Sequence, residues 1–380
     1  MTHALLVLED GRSFRGRRFG APCTATGEVV FNTSMMGYQE ILTDPSYASQ
    51  IVVMTYPMIG NYGIAPEDFE ARRPFLSGLV VKEPSRIASN WRHEQNLDAF
   101  LTEHGIAGFC DLDTRAVVRH LREHGAMRGT IGDADEGIAA LRKRALDSPI
   151  MAGQDLASLV SQTTSYKWER PSLEVAHPVA AAQRATRSLR VVAYDFGIKQ
   201  NILRRLVDVG SRVTVVPANT SADDVLALKP DGVVFSNGPG DPQPLTYAID
   251  SAKRLIGRVP ILGICLGHQI LALACGAKTF KMRFGHHGAN HPVMDLRTRK
   301  VKITSHNHGF AVDPDSLADS RVEVTHVNLY DQTLEGLSLR DAPAFSVQYH
   351  PEAAPGPRDA GYLFVQFAEL MREHRNGRGS

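Results

Sequence analysis

Between residues 189 and 264 the sequence alternates short apolar segments with helical segments, and this pattern restricts the fold more than any other feature. The apolar segments have the length of buried strands, and the segments between them have helical periodicity. The predicted strands are 189–194, 212–216, 232–235 and 259–264, and the predicted helices are 198–209, 223–228 and 245–256. The alternation predicts βαβ units, and therefore an α/β fold with a doubly wound, mostly parallel sheet.

Ligands of such sheets bind in the crevice at the carboxyl ends of the strands. Three of the predicted strands end directly before segments rich in glycine and polar residues: 195–197, 236–240 and 265–267. The sequence therefore predicts a site formed by these three segments.

Cys265 lies in a Gly-Ile-Cys-Leu-Gly segment, between an apolar strand and a predicted helix at 268–275. This is the pattern of a nucleophile elbow with sulfur in place of a hydroxyl oxygen. The flanking glycines leave room for a sharp turn, and the helix that follows directs its positive end at the sulfur, which favours the thiolate. The N–H of Leu266 can then donate to the oxygen of an attacked carbonyl. We interpret Cys265 as a nucleophile and the other three cysteines as buried or structural thiols.

The segment 345–352, Phe-Ser-Val-Gln-Tyr-His-Pro-Glu, ends a further apolar strand at His350. A cysteine nucleophile needs a histidine within reach, and that histidine needs an acceptor that fixes its tautomer. Glu352 follows two residues later, on the same side of an extended backbone. The pattern predicts His350 as the base and Glu352 as its orienting acceptor.

Five histidines occur close together, so a metal site has to be considered: His286, His287, His291, His306 and His308. No thiol is interleaved with them, and their spacing does not match a helical ligand pair. The sequence therefore predicts no metal site and favours roles in loop structure and in contacts to a small ligand.

The first half of the chain has a different pattern, with short β-type runs such as 28–32, 50–56 and 77–82 and helical patterns at 96–104 and 113–124. It predicts a smaller α+β domain over 1–147. The stretch 148–188 is rich in Ser, Thr, Gln, Ala and Pro and predicts a linker, which leaves 189–380 as the second domain.

Charge and composition exclude several classes of protein. The 42 basic and 41 acidic residues nearly cancel, so neither a nucleic-acid nor a membrane partner is expected. The apolar run at 4–8 is too short for a signal peptide or a membrane span. Four cysteines cannot form a disulfide framework, and a cytoplasmic location is therefore expected.

Three motifs of the second domain resemble the signatures of the class I (triad) glutamine amidotransferase family, in the family's order. They are Ser-Asn-Gly-Pro-Gly-Asp-Pro at 236–242, Gly-Ile-Cys-Leu-Gly-His-Gln at 263–269 and Tyr-His-Pro-Glu at 349–352. In the first domain, the segments 27–35, 37–47, 55–57 and 60–63 resemble the small-chain family of carbamoyl-phosphate synthase. Met36 and Met58 depart from that family's pattern, which has a smaller residue and a histidine there.

The resemblance implies roles for individual residues. Cys265, His350 and Glu352 would form the catalytic triad. Further residues would line a glutamine pocket: Ser46, Gly238, Gly240, Leu266, Gln269, Asn307, Gly309 and Phe310. Ser46 rests on the resemblance alone, whereas Gly238 and Gly240 also follow a strand where backbone N–H groups can approach a ligand.

The resemblance also implies a reaction and a partner. This chain would hydrolyse glutamine and deliver ammonia to a large chain, to which the first domain would dock. The large chain would bind ATP and Mg²⁺ and make carbamoyl phosphate for arginine or pyrimidine biosynthesis. No cofactor is expected in this chain, since the sequence contains no G-x-x-x-x-G-K-[ST] phosphate loop.

Two alternatives differ from this interpretation. The chain could be the amidotransferase subunit of another synthase, such as those that make anthranilate or GMP, but the first domain argues against that. It could also be a non-catalytic regulatory chain, but the presence of all three triad residues argues against that.

Overall fold

The computed structural model describes residues 3–173, 189–317 and 321–377. The chain divides into two compact units. Unit 1 consists of Met1–Gln154 and Met282–Gly288, and unit 2 consists of Asp155–Lys281 and Ala289–Ser380. The second unit contains the predicted βαβ region.

Unit 1 is built around a barrel whose described strands close in the order β1-β2-β8-β6-β4-β3-β9. The strands are β1 His3–Leu8, β2 Ser13–Gly20, β3 Ala25–Asn32, β4 Gln50–Met54, β5 Met58–Ile59, β6 Gly78–Val80, β7 Glu83–Pro84, β8 Ala107–Cys110 and β9 Met127–Asp133. The helices are α1 Tyr38–Thr43, α2 Leu97–Glu103, α3 Thr114–His124 and α4 Ile138–Asp147. The remaining two strands, β5 and β7, pair with each other. This arrangement agrees with the predicted α+β class.

The two helices that the sequence predicted in unit 1 begin at side-chain caps. The Asn96 side chain accepts a hydrogen bond from the Ala99 N–H ahead of α2, and Asp113 accepts one from Ala116 ahead of α3. Each cap satisfies an N–H group that has no partner within its helix. The caps explain why the predicted helices began one residue earlier than the observed ones.

Unit 2 contains one large sheet with the strand order β10-β12-β11-β13-β14-β19-β18-β17-β15-β16. The strands are β10 Tyr166–Trp168, β11 Leu189–Asp195, β12 Ser211–Pro217, β13 Gly232–Phe235, β14 Ile261–Ile264, β15 Lys278–Asp295, β16 Val301–Asp313, β17 Val322–Asn328, β18 Leu334–Leu339 and β19 Ala344–Val347. The helices are α5 Ala157–Val160, α6 Gln200–Asp208, α7 Ala222–Ala227, α8 Thr246–Leu255, α9 Leu266–Ala274 and α10 Tyr362–Gly377. In the order of the sheet, the neighbouring strands β12, β11, β13, β14 and β19 run parallel to one another. The next strands in that order, β18, β17 and β15, each run antiparallel to the strand before them.

The parallel part of this sheet is covered on both faces. Successive residues of β11 alternate between two hydrophobic clusters, with Val192 and Tyr194 in one and Val191 and Ala193 in the other. Burial of both faces explains why its strands are apolar throughout rather than alternating with polar residues. The doubly wound parallel arrangement is therefore confirmed for β12, β11, β13, β14 and β19, and the sheet has an antiparallel extension that the sequence pattern did not indicate.

Part of the stretch predicted as a linker is built into unit 2. Strand β10 pairs antiparallel with β12, and the Gln162 N–H donates to the Asp195 carboxylate at 2.8 Å. Three residues are too few to show a strand periodicity, so no sequence pattern indicated this edge strand. The remaining part of the predicted linker, 174–188, lies outside the described residues.

In the part of the chain that the structure describes, no helix combines the length and the apolar character that a membrane span needs.

Candidate active site

Cys265 occupies the turn between β14 and α9. Its backbone has φ 53° and ψ −105°, a positive φ that a residue with a side chain rarely adopts. The Cys265 N–H donates to the Val347 carbonyl at 2.9 Å, and Ile264 is the parallel neighbour of Val347. Strand β19, which leads to His350, thus holds the nucleophile's strand directly.

The glycines on either side of Cys265 are required by packing. A Cβ atom at Gly267 would lie 2.0 Å from the Phe235 carbonyl oxygen, and one at Gly263 would lie 2.7 Å from the Gly267 oxygen. These distances are far below van der Waals contact, and the opposing atoms belong to the backbone. The close packing of β13, β14 and the start of α9 therefore requires both glycines of the Gly-x-Cys-x-Gly motif.

His350 and Glu352 form a buried pair. The His350 Nδ1 atom lies 2.7 Å from the Glu352 Oε1 atom, and both side chains are almost fully inaccessible to solvent. Nδ1–H donates to the carboxylate, which leaves Nε2 as the nitrogen available to the nucleophile. The His350 N–H donates to the Ser305 carbonyl at 2.8 Å, which fixes the backbone.

Lys199, which no sequence motif indicated, forms an ion pair with Glu352. The Lys199 Nζ atom donates to Glu352 Oε1 at 2.9 Å and to the Ala353 carbonyl at 2.7 Å, and its side chain is only 2% exposed. Lysine is almost never buried without a partner. One sequence feature could have identified Lys199 as a site residue. It lies shortly after the end of the predicted strand 189–194, at the edge of the sheet where the site was expected.

The charges of this cluster shift the pKa values of both triad partners. Burial raises the pKa of Glu352, but the Lys199 ammonium and the His350 imidazole lower it, and the net direction is down. Burial lowers the pKa of His350, and the Glu352 carboxylate and the Cys265 side chain outweigh it, so the net direction is up. At neutral pH the pair is therefore an imidazolium beside a carboxylate.

Three of the predicted pocket residues meet at the nucleophile. The Gln269 Nε2 atom donates to the Phe310 carbonyl at 2.7 Å, and the Cys265 Sγ atom lies 3.6 Å from the Asn307 carbonyl oxygen. Gln269 also donates to the Gln348 side chain at 2.9 Å. These bonds connect α9 to β16, so the segment at 307–310 is held against the start of α9.

Three glycines were also predicted to line the pocket, and they differ in burial and backbone conformation. A Cβ at Gly238 would lie 2.2 Å from the Phe196 carbonyl oxygen and 2.7 Å from Leu266, so the glycine loop packs closely beside the elbow. Gly240 has a φ of +81°, which favours glycine there. Gly309 is half-buried in β16.

Ser46 belongs to unit 1, in the short helical turn Pro45–Tyr47. Its N–H donates to the Asp44 side chain at 2.9 Å. Its contact with glutamine stays a prediction.

A second missed residue, His268, ties the elbow helix to the strand of the base. Its Nδ1 atom lies 2.8 Å from the Ser346 hydroxyl of β19. Burial lowers the pKa of His268 to about 3, so the ring is neutral. A neutral, fully buried histidine serves here as a hydrogen-bonded connector rather than as a proton carrier.

Comparison with known proteins gives two family matches along the chain. Residues 6–131 match the family described as carbamoyl-phosphate synthase small chain, CPSase domain. Residues 192–370 match glutamine amidotransferase class-I. Both extend over the regions in which the sequence motifs were found.

Curated relatives are similar over nearly the whole chain. The carbamoyl phosphate synthase small chain of Syntrophotalea carbinolica is 53% identical over 99% of this chain and 100% of its own length. That of Vibrio vulnificus is 55% identical, with 98% of each chain covered. Among solved structures, a glutamine amidotransferase from Thermotoga maritima is 19% identical over 49% of this chain and 85% of that chain, with a TM-score of 0.35.

The packing at Gly267 leads to a prediction on stability. Gly267→Ala should lower the free energy of unfolding of unit 2 by about 3 kcal/mol or more, because the added methyl meets a backbone oxygen that cannot move aside. Urea unfolding followed by Trp168 fluorescence, in a Trp91→Phe background, measures this change.

Gly276, at the other end of α9, provides the matched control. It has a φ of +87° and nothing within 4 Å of an added Cβ, so Gly276→Ala should cost only ~1–2 kcal/mol. Equal losses in the two variants would contradict the packing explanation.

The buried cluster leads to a second prediction. Glu352→Gln should lower the free energy of unfolding of unit 2 by ~3–5 kcal/mol, because it leaves the Lys199 ammonium buried beside a neutral amide. Adding Lys199→Met to this variant should recover most of the loss. The same fluorescence measurement on the two single variants and the double variant gives the coupling free energy.

The direction of the pH dependence follows from the lowered pKa of Glu352. Its carboxylate stabilises the folded state above the ordinary carboxyl pKa of 4.5, and the contribution is lost as the pH falls through the lowered value. The difference in stability between the wild type and Glu352→Gln should therefore narrow on acidification. A difference that stays constant down to about pH 2–3 would show that charge is not its cause.

Proposed function

Since the chain belongs to the carbamoyl-phosphate synthase small chain family, we propose that Cys265, His350 and Glu352 carry out its hydrolysis of glutamine, whose ammonia passes to the large chain. The observation that supports these roles most strongly is the buried His350–Glu352 pair at the end of β19, next to the strand of Cys265. The three residues supply a nucleophile, a proton carrier and an anion that orients it.

In the first step, the Cys265 thiolate attacks the side-chain amide carbon of glutamine beside the protonated His350. The tetrahedral intermediate then collapses as the C–N bond breaks. His350 donates its proton to the leaving nitrogen, so that ammonia departs and a thioester remains. The raised pKa of His350 suits this role, because the ring holds a proton until the leaving group takes it.

In the second step, water attacks the thioester, His350 accepts a proton, and the sulfur leaves as glutamate forms. The sulfur is then again a thiolate beside the protonated His350, which is the starting state. The Leu266 N–H, at the start of α9, and the Gly238 loop beside it are proposed to hold the oxyanion in both steps.

Gln269, Asn307, Gly309 and Phe310 are proposed to bind the rest of glutamine, together with Gly240 and Ser46. The hydrogen bonds that hold the segment 307–310 against α9 support this assignment for Gln269, Asn307 and Phe310. Binding is thereby coupled to the position of the nucleophile.

The large partner chain is proposed to bind ATP and Mg²⁺ and to consume the ammonia in carbamoyl phosphate synthesis. The match of residues 6–131 to the small-chain domain separates this chain from amidotransferase subunits of other synthases. We also propose that the complex acts in the cytoplasm.

Unit 1 is proposed to provide the docking surface for the large chain. Four of its large apolar side chains are at least 70% exposed: Met35, Met36, Ile87 and Trp91. Exposed aromatic and methionine side chains are typical of binding surfaces, and tryptophan is enriched among residues that dominate binding energy.

The nucleophile assignment is tested by Cys265→Ser. Oxygen replaces sulfur at almost the same volume, so the fold and partner binding should persist while glutamine hydrolysis falls below detection. The complex of this variant with the large chain should still make carbamoyl phosphate from ammonium ions. Glutaminase turnover comparable to that of the wild type would exclude Cys265 as the nucleophile.

The docking assignment is tested by Trp91→Asp. A charge in place of an exposed indole should weaken binding to the large chain by about 10-fold or more, measured by surface plasmon resonance. Leu159→Asp alters a side chain of unit 2 that is 66% exposed and serves as the control, which should bind normally. If both variants bind like the wild type, Trp91 has no part in docking.

A further inference from the structure

Gln348 is a buried amide in the segment that leads to the proposed base. It follows Val347, the last residue of β19, and precedes His350 by two positions. Its side chain is fully buried, and its backbone N–H donates to the Glu335 carbonyl at 2.9 Å. Burying a primary amide costs free energy unless hydrogen bonds satisfy it. The partners of this side chain therefore indicate why a glutamine lies here.

The side chains of Gln348 and Gln269 are joined by a hydrogen bond whose direction is fixed. The Gln269 Nε2 atom donates to the Phe310 carbonyl at 2.7 Å and to Gln348 Oε1 at 2.9 Å. A backbone carbonyl only accepts, so the nitrogen of the Gln269 amide must face Phe310. That nitrogen has two hydrogens, and the two acceptors use both of them. Gln348 must accordingly present its oxygen to Gln269.

The nitrogen of the Gln348 amide has no such partner. No described residue accepts a hydrogen bond from Gln348 Nε2, although this atom is buried. Reversing the amide would bring two nitrogens, both donors, against each other and would lose the contact with Gln269. An apolar side chain would occupy similar space without burying an unpaired N–H group. The glutamine at 348 is therefore explained by the acceptor that it offers to Gln269, and not by packing.

Gln269 lies one helical turn beyond the proposed nucleophile. Its backbone N–H donates to the Cys265 carbonyl at 3.2 Å, and residues four apart are neighbours on a helix surface. Because both of its amide hydrogens are engaged, the group that remains is Oε1, a hydrogen-bond acceptor. Within the part of the chain that the structure describes, no donor is bonded to this oxygen. The helix thus carries an acceptor of fixed orientation one turn from Cys265.

Glutamine offers N–H groups at both of its ends, in the α-ammonium group and in the side-chain amide. A glutamine molecule whose amide carbon lies at the Cys265 sulfur is long enough to reach the next turn of α9. An acceptor on that turn attracts an N–H group, whereas an amide turned the other way would present two donors and would favour a carboxylate. The orientation of the Gln269 amide therefore decides which chemical group of the substrate it can bind.

We propose that Gln348 is a positioning residue for glutamine binding, an inference that rests on the proposed hydrolysis of glutamine. Gln348 does not touch the substrate. Its oxygen and the Phe310 carbonyl hold the Gln269 amide in one orientation, and Gln269 Oε1 accepts a hydrogen bond from an N–H group of glutamine. The same contact connects the candidate pocket with the segment that carries His350.

The first test measures glutamate release by the complex with the large chain at varied glutamine concentration. Gln348→Met keeps a side chain of similar size but removes the acceptor. We expect KM for glutamine to rise by about 5–10-fold, the effect of losing one hydrogen bond, while kcat changes by less than about 2-fold. An interaction that binds substrate and transition state alike raises KM alone when it is lost.

Further variants show whether the effect passes through Gln269. Gln269→Met removes the proposed substrate contact itself, so adding Gln348→Met to it should raise KM by less than about 2-fold more. Gln348→Glu retains an oxygen that can accept from Gln269 and should keep KM within about 3-fold of the parent value. Gln366→Met, which alters an exposed glutamine of α10, is the control and should match the parent.

A substrate analogue identifies the N–H group that is bound. Glutaramate has the side-chain amide of glutamine but no α-ammonium group, and its inhibition constant against glutamine measures its binding. If Gln269 binds the α-ammonium group, Gln348→Met should leave that constant unchanged. If Gln269 binds the amide, the constant should rise as much as KM for glutamine does.

Three results would overturn the proposal. The first is a Gln348→Met complex with the KM of the parent. The second is an equal rise in KM when Gln348→Met is added to Gln269→Met, which would show that Gln348 acts independently of Gln269. The third is a KM for Gln348→Glu as high as that for Gln348→Met. In all three cases the parent still hydrolyses glutamine and the proposed function stands, whereas a parent that releases no glutamate would overturn both.

Discussion

The parallel pairing of β14 with β19 is the constraint on which the candidate site depends. These strands are far apart in the sequence, yet Ile264 and Val347 are neighbours and the Cys265 N–H donates to the Val347 carbonyl. Because parallel strands end at the same edge of a sheet, the nucleophile and the histidine three residues beyond Val347 emerge side by side. The close packing at Gly263 and Gly267 then fixes the turn that presents the sulfur.

The buried charged groups of the candidate site lie at the same edge of the sheet. Lys199, which follows the end of β11, and Glu352, which follows the end of β19, form a buried ion pair that also holds His350. An isolated buried charge would be unstable, whereas the alternation of positive, negative and positive groups stabilises each member. The protonated state of His350 follows from this arrangement rather than from the imidazole alone.

The antiparallel extension of the sheet has a different role. Strands β16 and β18 carry His306, His308 and Glu335, and the same β16 segment contributes Asn307 and Phe310 to the candidate pocket. The histidines and the two carbonyls of the candidate pocket therefore lie within one short segment of the same strand, residues 306–310.

Local patterns in the sequence were enough to predict the doubly wound sheet and the elbow at Cys265. They also predicted His350 as a base and Glu352 as the acceptor that orients it. These features depend on periodicity, on glycines beside a turn and on residues two positions apart, all of which are visible in a short window. The contact of Lys199 with Glu352, the place of β10 at the sheet edge and the approach of Glu335 to His306 emerged only from the folded chain. These contacts link residues distant along the chain, and their distances follow from the packing of the whole unit, which no local pattern encodes.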